Sequence, residues 1–224
     1  MHHSEPLFRI LGLGVTAEVT TMWAIMLVLV VASVLVTRNM KEVPGKLQNA
    51  VEMAVEKLTG FYEDILGPAR TEQYFPFLGT LFIFILVCNY SGLIPGAGIF
   101  KGFKAPTSSL SVTAGIALCA FVMTHYSGIH AHGLGGYSRH FIQPVAIMLP
   151  FMLVDELVRP MSLALRLFGN IFGEESVMEQ LYHILPIGAP MIMMVLSLLF
   201  CALQAMVFSM LTAIYIDGAS GHGH

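Results

Sequence analysis

The chain has 224 residues, of which 56% are hydrophobic and only 11% are charged, and its mean hydropathy is +0.75. Soluble domains carry about 25% charged residues, so the composition excludes that class and predicts an integral membrane protein. With 11 Lys and Arg against 14 Asp and Glu, there is no basic excess, which excludes a nucleic-acid partner. The cysteines Cys88, Cys119 and Cys201 lie in apolar runs without paired spacing, so neither a disulfide framework nor a zinc site is expected.

Four stretches free of Asp, Glu, Lys and Arg are long enough to cross a bilayer, which takes about 20 apolar residues per helix. They predict spans over residues 19–37, 73–95, 107–128 and 186–216 of a single membrane domain. The residues before the first span lack the pattern of a cleavable signal. We therefore expect the first span to direct membrane insertion.

Residues 44–66, between the first two spans, place apolar side chains at spacings of three and four with charged residues interleaved. This pattern predicts an amphipathic helix at the membrane surface. A solvated hairpin between the spans is the alternative.

The orientation follows from the basic residues of the short loops. Five of them lie between residues 38 and 70, whereas Arg9 stands alone before the first span. Because Lys and Arg concentrate in cytoplasmic loops, we expect the N-terminus outside and the C-terminus in the cytoplasm.

Residues 141–184 are apolar enough for a membrane, yet they contain seven acidic or basic side chains. Each charge at a helix centre costs roughly 2.5–3.5 kcal/mol on insertion scales, so such groups face protein or a water-filled path. On a helical projection one polar stripe carries Asp155, Arg159, Ser162, Arg166 and Asn170. The stripe predicts an ion path; buried ion pairs that fix helix packing are the alternative.

The last span carries a weaker polar stripe in which Gln204 is the central amide. A lone intramembrane Gln serves equally well as an interhelical hydrogen bond or as part of a path, and the nearby Glu174 and Glu175 favour the path.

Four histidines follow or end the third span. We interpret them as members of a solvated interfacial loop rather than metal ligands: His125, His130, His132 and His140.

The run from Arg159 to Glu175, RPMSLALRLFGNIFGEE, closely resembles the signature of subunit a in the membrane sector of F-type ATP synthases. Residues 203–216 (LQAMVFSMLTAIYI) resemble the last helix of that family, and residues 89–95 (NYSGLIP) resemble its motif after the second span. The likeness covers the chain from about residue 74 onward.

The resemblance implies an all-α, polytopic membrane protein with five to six membrane helices, including a long tilted hairpin over 141–184 against a rotor ring, plus the surface helix. It implies a stator with two offset half-channels, in which Arg166 is the essential arginine, Asn170 and Glu175 are channel residues and Gln204 is the last-helix glutamine. Ser197 stands where some members carry His, so Glu174 is expected to take over part of the role of that His in ion translocation. The expected ion-translocation residues are Arg166, Glu175, Glu174, Asn170, Gln204, Asp155, Glu156 and Ser162.

The same resemblance implies a non-catalytic subunit without a cofactor, in the plasma membrane of a bacterium. Its expected partners are the c-subunit ring, b-type peripheral stalk subunits, the soluble ATPase sector indirectly, and the lipid bilayer. Either H⁺ or Na⁺ would suit this chain, since the family's selecting carboxylate is on the ring. The rival functions are a self-contained channel or secondary transporter, which should show broken helices repeated in two halves, and a purely structural subunit, which leaves the charges unexplained.

Overall fold

The computed structural model describes residues 8–10, 13–38, 45–93, 104–140, 149–184 and 188–220. Within these ranges two three-residue strands, β1 (Phe8–Ile10) and β2 (Leu13–Val15), form an antiparallel hairpin. The rest is helical. The helices are α1 (Ala17–Thr37), α2 (Lys46–Leu66), α3 (Pro68–Ser91), α4 (Leu110–His140), α5 (Leu149–Ile184) and α6 (Gly188–Ser220), with a 3-10 turn (Pro106–Ser108) before α4.

The prediction of an all-α, polytopic membrane protein is confirmed, since the only strands in the described ranges are the short pair before α1. Four helical segments are long and apolar enough to cross a membrane. They are Ala17–Thr37, Pro68–Ser91, Leu110–Gly133 and Pro190–Ser220. Helix α5 is longer than any single span requires, but its charges set it apart from these four.

Helix α1 is apolar around its whole circumference and stands largely apart from the other helices. Only Glu18, Thr21 and Ile25 are buried against the rest of the chain. Exposed apolar residues such as Leu27 and Leu35 cover the remaining surface. A helix that is hydrophobic on every side suits lipid contact.

Helix α2 is amphipathic, as predicted, and residues 46–66 form one continuous helix, so the hairpin alternative is wrong. Its second half buries Tyr62 and Leu66 against α3 and α6. Gly67, with φ +75°, separates α2 from α3, and Pro68 begins the new helix. A positive φ is readily adopted by Gly, and a Pro lacks only an amide that the first turn leaves unbonded.

Helices α3, α4, α5 and α6 pack around one apolar core. Small residues at the contacts, among them Ala117, Ala120, Ala164 and Ala205, let the backbones approach closely. Larger side chains such as Leu167 and Phe208 fill the space between them and are fully buried. The ends of α3 and α6 are tied by an ion pair of 2.6 Å between Arg70 and Asp217.

Several helix boundaries differ from the predicted ones. Helix α3 begins at Pro68 rather than residue 73, and the third span begins with a 3-10 turn, so that its α-helix starts only at Leu110. Helix α4 bends at Gly133, where φ is +69°. Helix α5 continues through Pro160. The predicted segment 141–184 is described only from residue 149, and residues 94–95 and 186–187 of two predicted spans also lie outside the described residues.

Candidate functional site

Arg166 lies on the exposed side of α5. Among the residues that the structure describes, it has no hydrogen bond or ion pair. Met161 and Leu165, on the same stretch of α5, are apolar and each 53% exposed, and Ser162 is exposed one turn earlier. A Cβ added at Gly169 would meet no atom within 4 Å. The site is therefore an open, mainly apolar surface that carries one guanidinium group.

Asn170, one turn beyond Arg166, connects α5 to α6. Its amide nitrogen donates a hydrogen bond of 2.6 Å to the side-chain oxygen of Gln204. Gln204 is only 5% exposed, and its own amide nitrogen has no hydrogen-bond partner among the described residues. The structure thus brings together two residues that the sequence assigned to one path.

Glu175 lies in a polar cluster with residues from two other parts of the chain, α1 and the segment 104–108. It lies near the Ser108 hydroxyl and near the charges of Lys104 and Glu18. The ammonium nitrogen of Lys104 is 3.3 Å from a carboxylate oxygen of Glu18, whose side chain is 2% exposed. We refer to Glu18, Lys104, Ser108 and Glu175 as the Glu175 cluster. Sequence reasoning used Glu18 only as the boundary of the first span, although a carboxylate in the first turn of an apolar helix could have marked it.

Glu174 lies at the contact between α5 and α6. The thiol of Cys201 is 3.8 Å from one of its carboxylate oxygens, and the Ser197 hydroxyl lies nearby. The backbone carbonyl of Cys201 accepts a hydrogen bond of 3.3 Å from the side-chain amide of Asn89 on α3. Glu174 is therefore near Ser197, and Asn89 adds a polar group that sequence reasoning did not select.

A second group of charges surrounds Arg159, eleven residues before Asn170 on α5. Arg159 contacts Asp155 at 2.8 Å and Glu156 at 3.4 Å, and its guanidinium carbon lies 5.4 Å from the ring centre of Tyr215 on α6. The other oxygen of Glu156 is 3.5 Å from Nε2 of His125 on α4. Glu156, Arg159 and Tyr215 line a cleft between α4, α5 and α6, and we call these three residues together with Asp155 and His125 the Arg159 cluster.

The interpretation of His125 as part of a solvated loop is wrong. His125 lies within α4, which runs from Leu110 to His140, and its ring faces Glu156 on α5 with only 26% of its side chain exposed. His130 and His132 are helical as well, whereas the side chain of His140 is not described. Among the described residues, no three His, Cys, Asp or Glu side chains are placed to hold a metal ion.

The two clusters lie on opposite sides of Arg166 along α5. At 1.5 Å per residue, Glu156 is about 15 Å before Arg166 and Glu175 is about 14 Å beyond it. Between them the inward-facing side chains are apolar, with Leu163 and Leu167 buried. The alternative that the charges serve only as packing ion pairs fits Arg159, but it does not account for Arg166.

Comparison with known proteins gives one consistent family. The sequence profile described as "ATP synthase A chain" matches residues 19–217. "ATP synthase subunit a" of Moorella thermoacetica is 39% identical over the full length of both chains. "ATP synthase subunit a 1" of Syntrophotalea carbinolica is 40% identical over 94% of this chain and 88% of the relative. "ATP synthase subunit a" of Geotalea daltonii is 38% identical over 90% and 86%, respectively.

These relatives are bacterial, and the match extends well beyond the run from Arg159 to Glu175 that first indicated the resemblance. Together with the apolar helices, it establishes a bacterial-type membrane protein. The chain belongs to the ATP synthase A chain family.

Proposed function

We propose that this chain is the ion-translocating stator subunit of a rotary ATP synthase, and that Arg166 faces the carboxylates of a rotating ring of c subunits. The observation that carries the proposal is the exposed, unpaired position of Arg166 on an apolar surface. A charge at membrane depth requires a partner or a water-filled path. A carboxylate on a neighbouring subunit would supply that partner.

We assign the outer half-channel to the polar groups beyond Arg166. The Glu175 cluster forms its mouth, and Glu174 continues it between α5 and α6. The hydrogen-bonded pair of Asn170 and Gln204 leads on toward Arg166. Carboxylates and amides in this order can pass an ion from group to group, because each offers oxygen atoms that bind it briefly.

We assign the inner half-channel to the Arg159 cluster. Glu156 faces the cleft, with 16% of its side chain exposed, whereas Asp155 lies outside it with 64% exposed. Ser162 then provides a hydroxyl group between this cleft and Arg166. An ion that leaves the ring on this side would pass Ser162 and Glu156 on its way to the cytoplasm.

Arg166 would keep the two half-channels apart. Its guanidinium holds its proton at every relevant pH, so it cannot relay protons and it repels a cation that approaches from either side. It would also stabilise the ionised form of an arriving ring carboxylate, so that the bound ion leaves. At an effective dielectric near 20 the attraction is about 4 kcal/mol at 4 Å, which allows the ring to move on.

In this proposal the chain is not itself an enzyme and has no cofactor. Its partners are the c-subunit ring, b-type peripheral stalk subunits and, indirectly, the soluble ATPase sector. The N-terminus faces outward and the C-terminus the cytoplasm. The rival, a self-contained channel or transporter, is disfavoured because the two clusters are separated by the buried apolar residues Leu163 and Leu167 and no repeated halves are apparent in the sequence.

Cross-linking in the assembled complex tests the proposal. Cys119 is exposed, so the three native cysteines are first replaced by Ala. Gly169→Cys, placed in open space next to Arg166, should form a disulfide with a cysteine introduced beside the ring carboxylate. Leu27→Cys on the exposed surface of α1 is the matched control and should not. The proposal is wrong if Gly169→Cys forms no such bond in complexes that pump, or if the isolated chain conducts ions by itself.

A further inference from the structure

The histidine of the Arg159 cluster has a fixed hydrogen-bonding pattern. Nδ1 of His125 lies 3.0 Å from the backbone carbonyl oxygen of Phe121, one turn earlier on α4. A carbonyl oxygen only accepts hydrogen bonds, so Nδ1 must carry the hydrogen. The other ring nitrogen, Nε2, is directed at Glu156.

The contact between Nε2 of His125 and Glu156 is therefore favourable with a proton between the two side chains. With its hydrogen on Nδ1, a neutral imidazole presents a lone pair at Nε2, and an ionised carboxylate presents another. The two atoms are 3.5 Å apart. This approach is favourable when one proton is held by the pair, either on Nε2 with Glu156 ionised or on the carboxyl group with His125 neutral.

The surrounding groups hold Glu156 in this position. Arg159 contacts the second oxygen of Glu156 and is itself held by Asp155 and by the ring of Tyr215. The neighbouring hydroxyl of Thr124 is occupied, since it donates to the carbonyl of Ala120. Among the described residues, the ionisable groups that face the pair include Asp155 and Arg159 from α5 and Tyr215 from α6.

From this geometry we infer that His125 and Glu156 form a proton-transfer pair in the inner half-channel. This inference rests on the proposed function. A proton that arrives on the carboxylate of Glu156 passes to Nε2 of His125, leaving a carboxylate and an imidazolium. The imidazolium then gives the same proton to water on the cytoplasmic side and returns to its neutral form. The reverse sequence serves the opposite direction.

The surroundings of Glu156 are unsuited to Na⁺. Hard cations prefer several oxygen ligands, whereas both oxygens of Glu156 face nitrogen groups that carry or accept protons, His125 and Arg159. A sodium ion would have to displace a guanidinium that is held by two further contacts. A proton needs only the existing pair of atoms.

The test uses the complete ATP synthase reconstituted in vesicles, with ATP-driven acidification as the readout. His125→Gln keeps a side chain of similar length that can hydrogen-bond but cannot take up a proton, and it should slow pumping at least about tenfold. His125→Ala should be equally slow and should be restored by added imidazole. Pyrazole, which has the same shape but is a much weaker base, should not restore it.

His130→Ala is the matched control, because His130 lies on the same helix and is exposed; it should pump like the parent. Subunit content is measured for each variant. If His125→Ala assembles poorly, the conclusion is drawn from His125→Gln alone. Parental pumping by His125→Gln, or rescue by pyrazole as well as imidazole, would overturn the proton-transfer pair. Pumping by the parent that requires Na⁺ would overturn the pair as well, since the pair transfers only protons. A complex with Arg166→Ala that pumps at the parental rate would instead refute the proposed function. Failure of the proton-transfer pair and failure of the proposed function can therefore be distinguished.

Discussion

Asn170 on α5 donates a hydrogen bond of 2.6 Å to Gln204 on α6, although the two residues are 34 positions apart. Gln204 is buried, and its amide nitrogen is a buried donor without a partner within the described chain. The pair joins the two helices at the level where the proposed outer half-channel approaches Arg166.

Replacement of either amide should show that the pair acts as a unit. Gln204→Leu and Asn170→Leu are each expected to slow ATP-driven pumping severalfold, and the double variant should be little slower than either single one, because residues in one hydrogen bond are not additive. Each change removes a net hydrogen-bond contribution of about 1 kcal/mol, so assembly should persist. The measurement is the pumping rate per assembled complex for the two single variants and the double variant. Fully additive losses of rate would mean that the two side chains work separately.

Arg166→Lys should abolish ATP synthesis and ATP-driven pumping while the subunit still inserts and assembles. Lysine keeps the charge, but its ammonium group is compact, more strongly hydrated and able to lose its proton when desolvated. Arg166→Ala should also stop coupled rotation and add a passive ion leak, since the electrostatic barrier is gone. Arg38→Lys, at the exposed end of α1, is the control and should be silent. Substantial coupled pumping by Arg166→Lys would contradict the assignment.

The double variant Glu174→Gln with Glu175→Gln should pump slowly yet assemble normally. Glutamine preserves the shape and can still accept from the Cys201 thiol, but it cannot exchange a proton. Glu179→Gln, on the exposed side of the same helix, removes a carboxylate without touching either cluster and should leave the rate unchanged. If the double variant pumps at the parental rate, the outer half-channel does not run through Glu174 and Glu175.

The orientation is tested by Lys46→Cys in a chain whose native cysteines are replaced. Lys46 begins α2 and is exposed, and the basic residues around it predict a cytoplasmic position. A membrane-impermeant thiol reagent should label it in inverted vesicles and leave it unlabelled in intact cells. Labelling from outside in intact cells would reverse the topology, and with it the assignment of the outer and inner half-channels.

Much of the architecture was already evident in the amino-acid order. The apolar stretches of the sequence already marked the four segments that are long and apolar enough to cross a membrane, and the three- and four-residue spacing of α2 determined its amphipathic form. The run from Arg159 to Glu175 identified the family. Its helical projection also placed Arg166 on a polar stripe, because a regular helix fixes which residues share a side. Local patterns of this kind require no knowledge of distant contacts.

Only the tertiary structure decided which groups meet across helices. Glu18 and Lys104 come from separate segments and converge near Glu175. His125 reaches Glu156 because α4 packs against α5. Periodicity determines the side of a helix on which a residue lies. It does not determine the neighbour that this side meets, because that depends on how closely the small residues of α4, α5 and α6 let the backbones approach.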